Sequence, residues 1–271
     1  MKTITLNDGL SMPQLGFCAY GISNQEVGTA VREAIRVGYR GIDTAQFNRN
    51  EAGTGQGIRA SGIERSQLFV TTKVQTDGFT ATKRGLDDSL RRAQLDYFDL
   101  VLIHWPMPDT LGTYRALEEA RREGKVRSLG LSNFNIAQIK ELLAATDVKP
   151  VVDEIETHLF SQQKKLHRFL EQHQIVHEAY APFGENVSLM TEIPLVQWLA
   201  KKYRKAPTQI ILHYLIQSQI VVNVRSTNPA HIRANLALFD FQLLSEEVAA
   251  LRDLDRHQPL IDWPLTMRVD E

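Results

Sequence analysis

One cysteine, Cys18, stands in 271 residues. No internal disulfide can form, so packing alone must hold the fold, as is usual in a reducing compartment. No apolar run approaches the ~20 residues of a membrane-spanning helix. The opening Met1-Lys2-Thr3-Ile4-Thr5-Leu6 lacks the pattern of a secretory signal. Neither sign of charge is in excess: 31 Lys and Arg balance 32 Asp and Glu, for a net charge of -1. A nucleic-acid binder usually carries a basic stripe. The densest basic cluster here, Lys201, Lys202, Arg204 and Lys205, falls on a helical pattern and reads as a solvated helix face. Low-complexity tracts and Pro/Ser/Gly-rich linkers are absent too. These absences describe a cytoplasmic protein without nucleic-acid or membrane partners. The expected organisation is one domain over residues 1–271, acting as a monomer.

What the sequence does contain is an alternation. Short β-rich runs at 14–19, 41–44, 68–74, 98–104, 126–132, 151–156, 175–180 and 220–224 are separated by amphipathic helical stretches. The helical stretches are 24–37, 51–61, 80–93, 110–122, 136–145, 162–172, 194–203 continuing into 208–217, and 229–238, with a last one at 245–254. Strand–helix alternation is the sign of parallel βαβ units. The run Leu100-Val101-Leu102-Ile103 is apolar throughout, as a strand covered on both faces must be. Eight such pairs in this length predict a closed (β/α)8 barrel, the α/β fold that needs ~250 residues. Two extended pieces around Asn7-Asp8-Gly9 predict an N-terminal hairpin under the barrel. The glycines of Gly53-Thr54-Gly55-Gln56-Gly57 lie inside a helical stretch, so they predict close helix packing rather than a phosphate loop.

In such a barrel the chemistry sits at the C-terminal ends of the strands. Asp43, Lys73 and His104 each close an apolar strand, on three consecutive strands. An acid beside a lysine fixes its position and charge. The lysine then offers a positive field to a developing oxyanion, and the histidine offers a second donor.

Asp43-Thr44-Ala45, Asn50-Glu51, Thr72-Lys73, His104-Trp105-Pro106 and Gly130-Leu131-Ser132-Asn133-Phe134 appear in that order. Together they resemble the aldo-keto reductases, and the resemblance runs the length of the chain, with short loops closest to bacterial members that reduce small ketones and aldehydes. It implies hydride transfer from NADPH to a small carbonyl substrate, with a tyrosine as the acid. It assigns Asp43, Lys73 and His104 to three of four catalytic places. The fourth, the tyrosine's, is occupied by Asn48. The resemblance further places Thr44, Ser132, Asn133 and Tyr180 at the nicotinamide end of the cofactor, the last as a stacking ring. It places Arg225, Ser226, Thr227, Asn228 and His231 around the adenosine 2′-phosphate, and Asn235 at the adenine. Tyr20, Phe47 and Trp105 become the walls of the substrate pocket.

An amide donates a hydrogen bond but cannot release a proton at neutral pH, so the resemblance implies a reductase that is slow or takes its proton from His104, Lys73, a water or Tyr20. Glu154 stands where the family has a glutamine that meets the carboxamide; a carboxylate there either favours the cationic, oxidised ring or simply keeps one of the glutamine's hydrogen bonds. His231 in place of an arginine weakens the preference for NADP(H) over NAD(H). Two alternatives stay open: an inert protein that still binds dinucleotide, and amine catalysis by Lys73. No metal site is expected, because adjacent strand residues such as Asp153 and Glu154 point to opposite faces.

Overall fold

A computed structural model describes residues 2–263 and residue 269. β1 (Thr3–Thr5) and β2 (Ser11–Pro13) pair antiparallel, with Thr3 opposite Pro13. Gly9, at φ +90°, makes the turn between them, a backbone region that other residues adopt at a cost. Leu6 and Met12 pack with Leu100, Leu102, Val152, Val176 and Val221 in a small apolar cluster. Asp8 accepts a 2.6 Å bond from the Ser128 hydroxyl, and Asn7 donates to the Pro150 carbonyl at 2.9 Å. The hairpin therefore plugs the barrel from below.

The barrel strands are β3 (Leu15–Cys18), β4 (Gly41–Asp43), β5 (Phe69–Val74), β6 (Phe98–Ile103), β7 (Val126–Ser132), β8 (Val152–Glu156), β9 (Val176–Tyr180) and β10 (Val221–Val224). All pair in parallel, and the order β10-β3-β4-β5-β6-β7-β8-β9 closes on itself. Side-chain period two divides each strand between lumen and helices. On β6, Leu100 and Leu102 join the lumen cluster, while Val101 and Ile103 join the outer core. The same alternation sends Val152 inward and Ile155 outward on β8. It therefore turns Glu154 to the lumen and Asp153 away from it.

The outer ring comprises α1 (Val27–Val37), α2 (Glu51–Ala60), α3 (Phe79–Ala93), α4 (Thr110–Arg122), α5 (Ile136–Ala145), α6 (Lys164–Gln172), α7 (Val187–Thr191), α8 (Pro194–Tyr203), α9 (Pro207–Gln217), α10 (Pro229–Leu236) and α11 (Ser245–Arg252). Most boundaries lie within one or two residues of the sequence reading, and the larger differences have local causes. α1 starts at 27 rather than 24 because Ser23 and Glu26 close a turn, with Ser23 Oγ donating to Glu26 at 2.7 Å. α6 starts at 164 because Gln163 is left-handed (φ 53°) and the Gln162 amide is drawn to the carbonyls of Leu159 and Leu251. α7 has five residues, too few for a periodic pattern, and begins where Asn186 accepts from the Leu189 N–H.

The helical glycines are packing devices. A Cβ on Gly55 would lie 1.9 Å from the carbonyl oxygen of Ala93, and one on Gly57 would lie 2.5 Å from that of Gly28. α2 is thus clamped directly against α1 and the end of α3, with no room for a phosphate.

Candidate active site

The upper lumen is filled by one inward residue from each of several strands: Cys18, Asp43, Lys73, Glu154, Glu178 and Asn223. Lys73 sits at their centre. Its ammonium pairs with Asp43 and lies 2.9 Å from Glu154 Oε2. The Cys18 thiol donates to the other Asp43 oxygen at 3.6 Å. The Asn223 amide donates to Glu154 at 3.0 Å and to Glu178 at 2.8 Å. Gly16 makes this possible, since a Cβ there would sit 2.1 Å from Asn223 Oδ1. Glu178 Oε2 is buried with no hydrogen-bond partner.

Three carboxyl groups thus share one ammonium out of reach of water, and burial of so much like charge shifts proton affinities. Burial pushes the Asp43 carboxyl up, Lys73 pulls it down and Glu154 pushes it up again, leaving it at about 7. Burial, followed by Glu154 and Asp43, holds Glu178 well above the usual carboxylate range. Burial alone would lower Lys73, but Asp43 and Glu154 outweigh it and the net shift is upward. Lys73 is therefore an ammonium at neutral pH, which opposes Schiff-base chemistry. Burial, helped by Lys73, holds His104 well below its ordinary value, so the imidazole is neutral. His104 Nδ1 is buried without a partner.

Above this layer a cavity of about 150 Å³ opens, lined by Asp43, Lys73, His104, Asn48, Trp105 and Tyr180 among others. Asn48 ends a 3₁₀ turn, Gln46–Asn48, closed by its own N–H to the Ala45 carbonyl at 3.1 Å. Gln46 pins the turn, accepting from the Gln75 N–H at 2.9 Å and donating to the Gly85 carbonyl and Ser89 hydroxyl at 3.0 Å. The Asn48 side chain is half-buried at the cavity wall. Tyr20, Phe47 and Trp105 line this cavity. Tyr20 stacks on Phe47 at 6.4 Å, and Phe47 meets Trp105 edge-on at 5.6 Å. Trp263 was not foreseen; it meets Trp105 edge-on at 5.5 Å. Its segment is held by Glu156, whose Oε1 accepts from the N–H groups of Leu260 (2.6 Å) and Ile261 (3.1 Å).

The other predicted binding residues divide into those that converge and those that do not. Asn133, in a left-handed conformation (φ 63°), donates to the His104 carbonyl and to Ser132 Oγ, both at 3.0 Å. It accepts from the Tyr180 hydroxyl at 2.7 Å. Ser132 donates to the Glu154 carbonyl at 2.9 Å. Asn133, Tyr180 and Arg225 line the same cavity as Lys73. Beyond Arg225, the exposed Thr227 and Asn228 and the half-buried Ser226 lead into α10, where Asn228 accepts from the Ala230 N–H at 2.9 Å. His231 is exposed on that helix and Asn235 is buried. Thr44 does not reach the cavity; its hydroxyl donates to Asn50 at 2.9 Å in the buried packing behind the strand.

The layout is that of a barrel oxidoreductase: a buried ion cluster under a reaction cavity, and a cationic loop opening onto a helix N-terminus beside it. The chain belongs to the aldo/keto reductase family, whose model matches residues 14–256. It is 38% identical over 255 residues to methylglyoxal reductase DkgA of Yersinia pestis, covering 93% of this chain and 92% of that one. An aldo-keto reductase of Mycobacterium marinum is 39% identical over 269 residues, covering 97% and 95%. Among solved structures, an aldo/keto reductase from Brucella melitensis superposes with a TM-score of 0.90 at 40% identity, over 94% of this chain and 99% of that one. A Bombyx mori aldo-keto reductase in complex with NADP gives 0.91 at 37% identity, over 96% and 95%. Among the described residues, no helix is long and apolar enough to cross a membrane.

Proposed function

We propose that the chain reduces a small aldehyde or ketone, with a dicarbonyl such as methylglyoxal as the model substrate, and that it does so slowly because Asn48 holds the place of the family's phenol. The observation that carries this reading is the convergence of Lys73, Asp43 and His104 with Asn133, Tyr180 and Arg225 on one cavity. The residues present fit a nicotinamide dinucleotide. Tyr180 and Asn133 line the cavity with a ring and an amide, Ser132 is buried behind Asn133 and holds its amide, and Arg225 with the N-terminus of α10 offers cationic partners for a phosphate. NADP(H) is the cofactor this set suits, and NAD(H) is accepted less well.

When bound, the reduced nicotinamide supplies the hydride to the carbonyl carbon. The chain's own residues handle the oxygen. We assign the His104 proton to Nε2, because an unpaired buried Nδ1 costs less as an acceptor than as an N–H. The neutral imidazole then donates toward the carbonyl oxygen. The Lys73 ammonium supplies the positive field and, with no phenol present, the proton. An alkoxide is far more basic than an amine, so the transfer runs downhill. An ammonium held by two carboxylates is nonetheless a poorer acid than a phenol, and loss of a general acid costs about 10²–10⁴ in rate. A second reading, a protein that binds dinucleotide without turnover, draws on one observation: Glu154 takes up part of the ammonium's charge.

The test is consumption of NADPH and of NADH with methylglyoxal, beside a Lys73→Met variant. Slow turnover that is lost in the variant supports the reading. Tight binding of NADPH with no oxidation under single-turnover conditions favours the second reading, and absence of binding refutes both.

A further inference from the structure

Glu154 lies at the junction of two groups of residues. Its backbone carbonyl accepts from the Ser132 hydroxyl at 2.9 Å and from the Asn133 N–H at 3.0 Å. Its carboxylate contacts Lys73 and Asn223 and lines the reaction cavity. It is the member of the buried cluster closest in the chain's bonding to the residues that suit a carboxamide. The titratable and charged groups facing this point are Cys18 on β3, Tyr20 just beyond it, Asp43 on β4, Lys73 on β5, His104 beyond β6, Glu154 on β8, Glu178 and Tyr180 on β9, and the exposed Glu185 and Arg225 at the cavity rim. Cys18 and Tyr180 are raised by burial and stay neutral, and His104 is neutral because burial lowers it. Glu185 and Arg225 carry opposite charges and are exposed to solvent, so within the buried cluster the balance is set by three carboxyls against one ammonium. Glu178 keeps one oxygen, buried and unpartnered, inside this group.

We propose that this cluster makes the site distinguish the two charge states of the cofactor, holding a proton beside a neutral reduced ring and releasing it to the solvent beside a cationic oxidised ring. The inference rests on the dinucleotide reading above and deepens it. Two carboxylates and an ammonium form a chain of charge that a further buried anion destabilises, so the extra proton resides on the cluster. A cation added at the cavity wall stabilises the ionised carboxylates and expels that proton. With Asp43 at about 7, the release falls in an accessible range. The sign follows from linkage. Below about pH 7 Asp43 is protonated and the oxidised form must displace its proton to bind, so affinity weakens as pH falls. Above that value Asp43 is already ionised and its contribution levels off. The reduced form has no charge on its ring and shows no such dependence.

The experiment measures dissociation constants for NADP⁺ and NADPH from pH 6 to 9. Calorimetry in two buffers of different ionisation enthalpy counts the protons released. Groups that meet the adenosine phosphate act on both forms alike and cancel in the affinity ratio. For the unaltered chain, the ratio of oxidised to reduced affinity should fall toward pH 6 by up to about ten-fold per pH unit. Oxidised-form binding should release up to one proton. Glu154→Gln, nearly isosteric, should flatten the slope and move the ratio toward the reduced form. A ratio independent of pH in the unaltered chain overturns the proposal, as does a slope that Glu154→Gln leaves unchanged. Either result leaves the dinucleotide reading standing, whereas failure of both forms to bind overturns that reading as well.

Discussion

Replacing Asn48 with tyrosine tests most directly the proposal that Asn48 holds the place of the family's acid. The site is prepared for it. The 3₁₀ turn that carries residue 48 is pinned by three hydrogen bonds of Gln46, so the backbone position does not depend on the side chain at 48. That side chain lines the cavity with Lys73 and His104, and the half-buried asparagine leaves the volume in front of it open. A phenol there would stand by a buried ammonium, which favours its ionised form and makes it a better acid. The expected gain in kcat is about 10²–10⁴-fold, or roughly 2.7–5.5 kcal/mol of barrel-mouth stabilisation of the transition state. The assay is NADPH consumption with methylglyoxal, run for the unaltered chain, Asn48→Tyr and Asn48→Phe. The phenylalanine variant fills the same space without a hydroxyl and should stay at or below the unaltered rate. The reasoning is refuted if the tyrosine and phenylalanine variants turn over equally, because the hydroxyl then contributes nothing and proton delivery is not what limits this chain.

Three further predictions concern the scaffold. Gly55→Ala places a methyl group against the Ala93 carbonyl, which as backbone cannot step aside, and should lower stability by about 1–3 kcal/mol; an unchanged thermal midpoint would show that α2 moves freely. His167 and His177 face each other at 3.1 Å, with His177 also 2.8 Å from the Thr157 hydroxyl, and burial lowers both from the ordinary value of 6.5. Their folded values are depressed, so their contribution is intact above about pH 6.5 and is lost as pH falls below it. Denaturant unfolding from pH 7.5 to 5 should show a loss that His177→Gln reduces, and identical pH profiles would count against the pair. Glu156→Gln weakens the grip on the Leu260 and Ile261 N–H groups, so protease cleavage beyond residue 255 should quicken at unchanged global stability; equal cleavage rates would mean that another contact holds the segment.

The barrel was legible because its strands are apolar runs of the right length, and because the residues that end them differ so sharply from what precedes them. Asp43, Lys73 and His104 announce themselves as charged or polar residues closing such runs. Glu178 and Asn223 escaped notice because they sit one or two positions before the strand ends, where alternation sends them into the lumen beneath the mouth. Their strands can be recognised, but the inward face has to be read through to its polar members, and Cys18 is found in the same way. Glu154 shows a different kind of limit. Read along the chain, it is a substituted partner for a carboxamide, and its backbone does hold Ser132 and Asn133. Its carboxylate instead meets Lys73, from a strand three places around the sheet, across the lumen. Strand patterns encode which residues face inward, whereas pairs across the lumen follow only from closure of the barrel. The charge balance of this site is made of such pairs, so the chemistry that depends on it became visible only once the ring was closed.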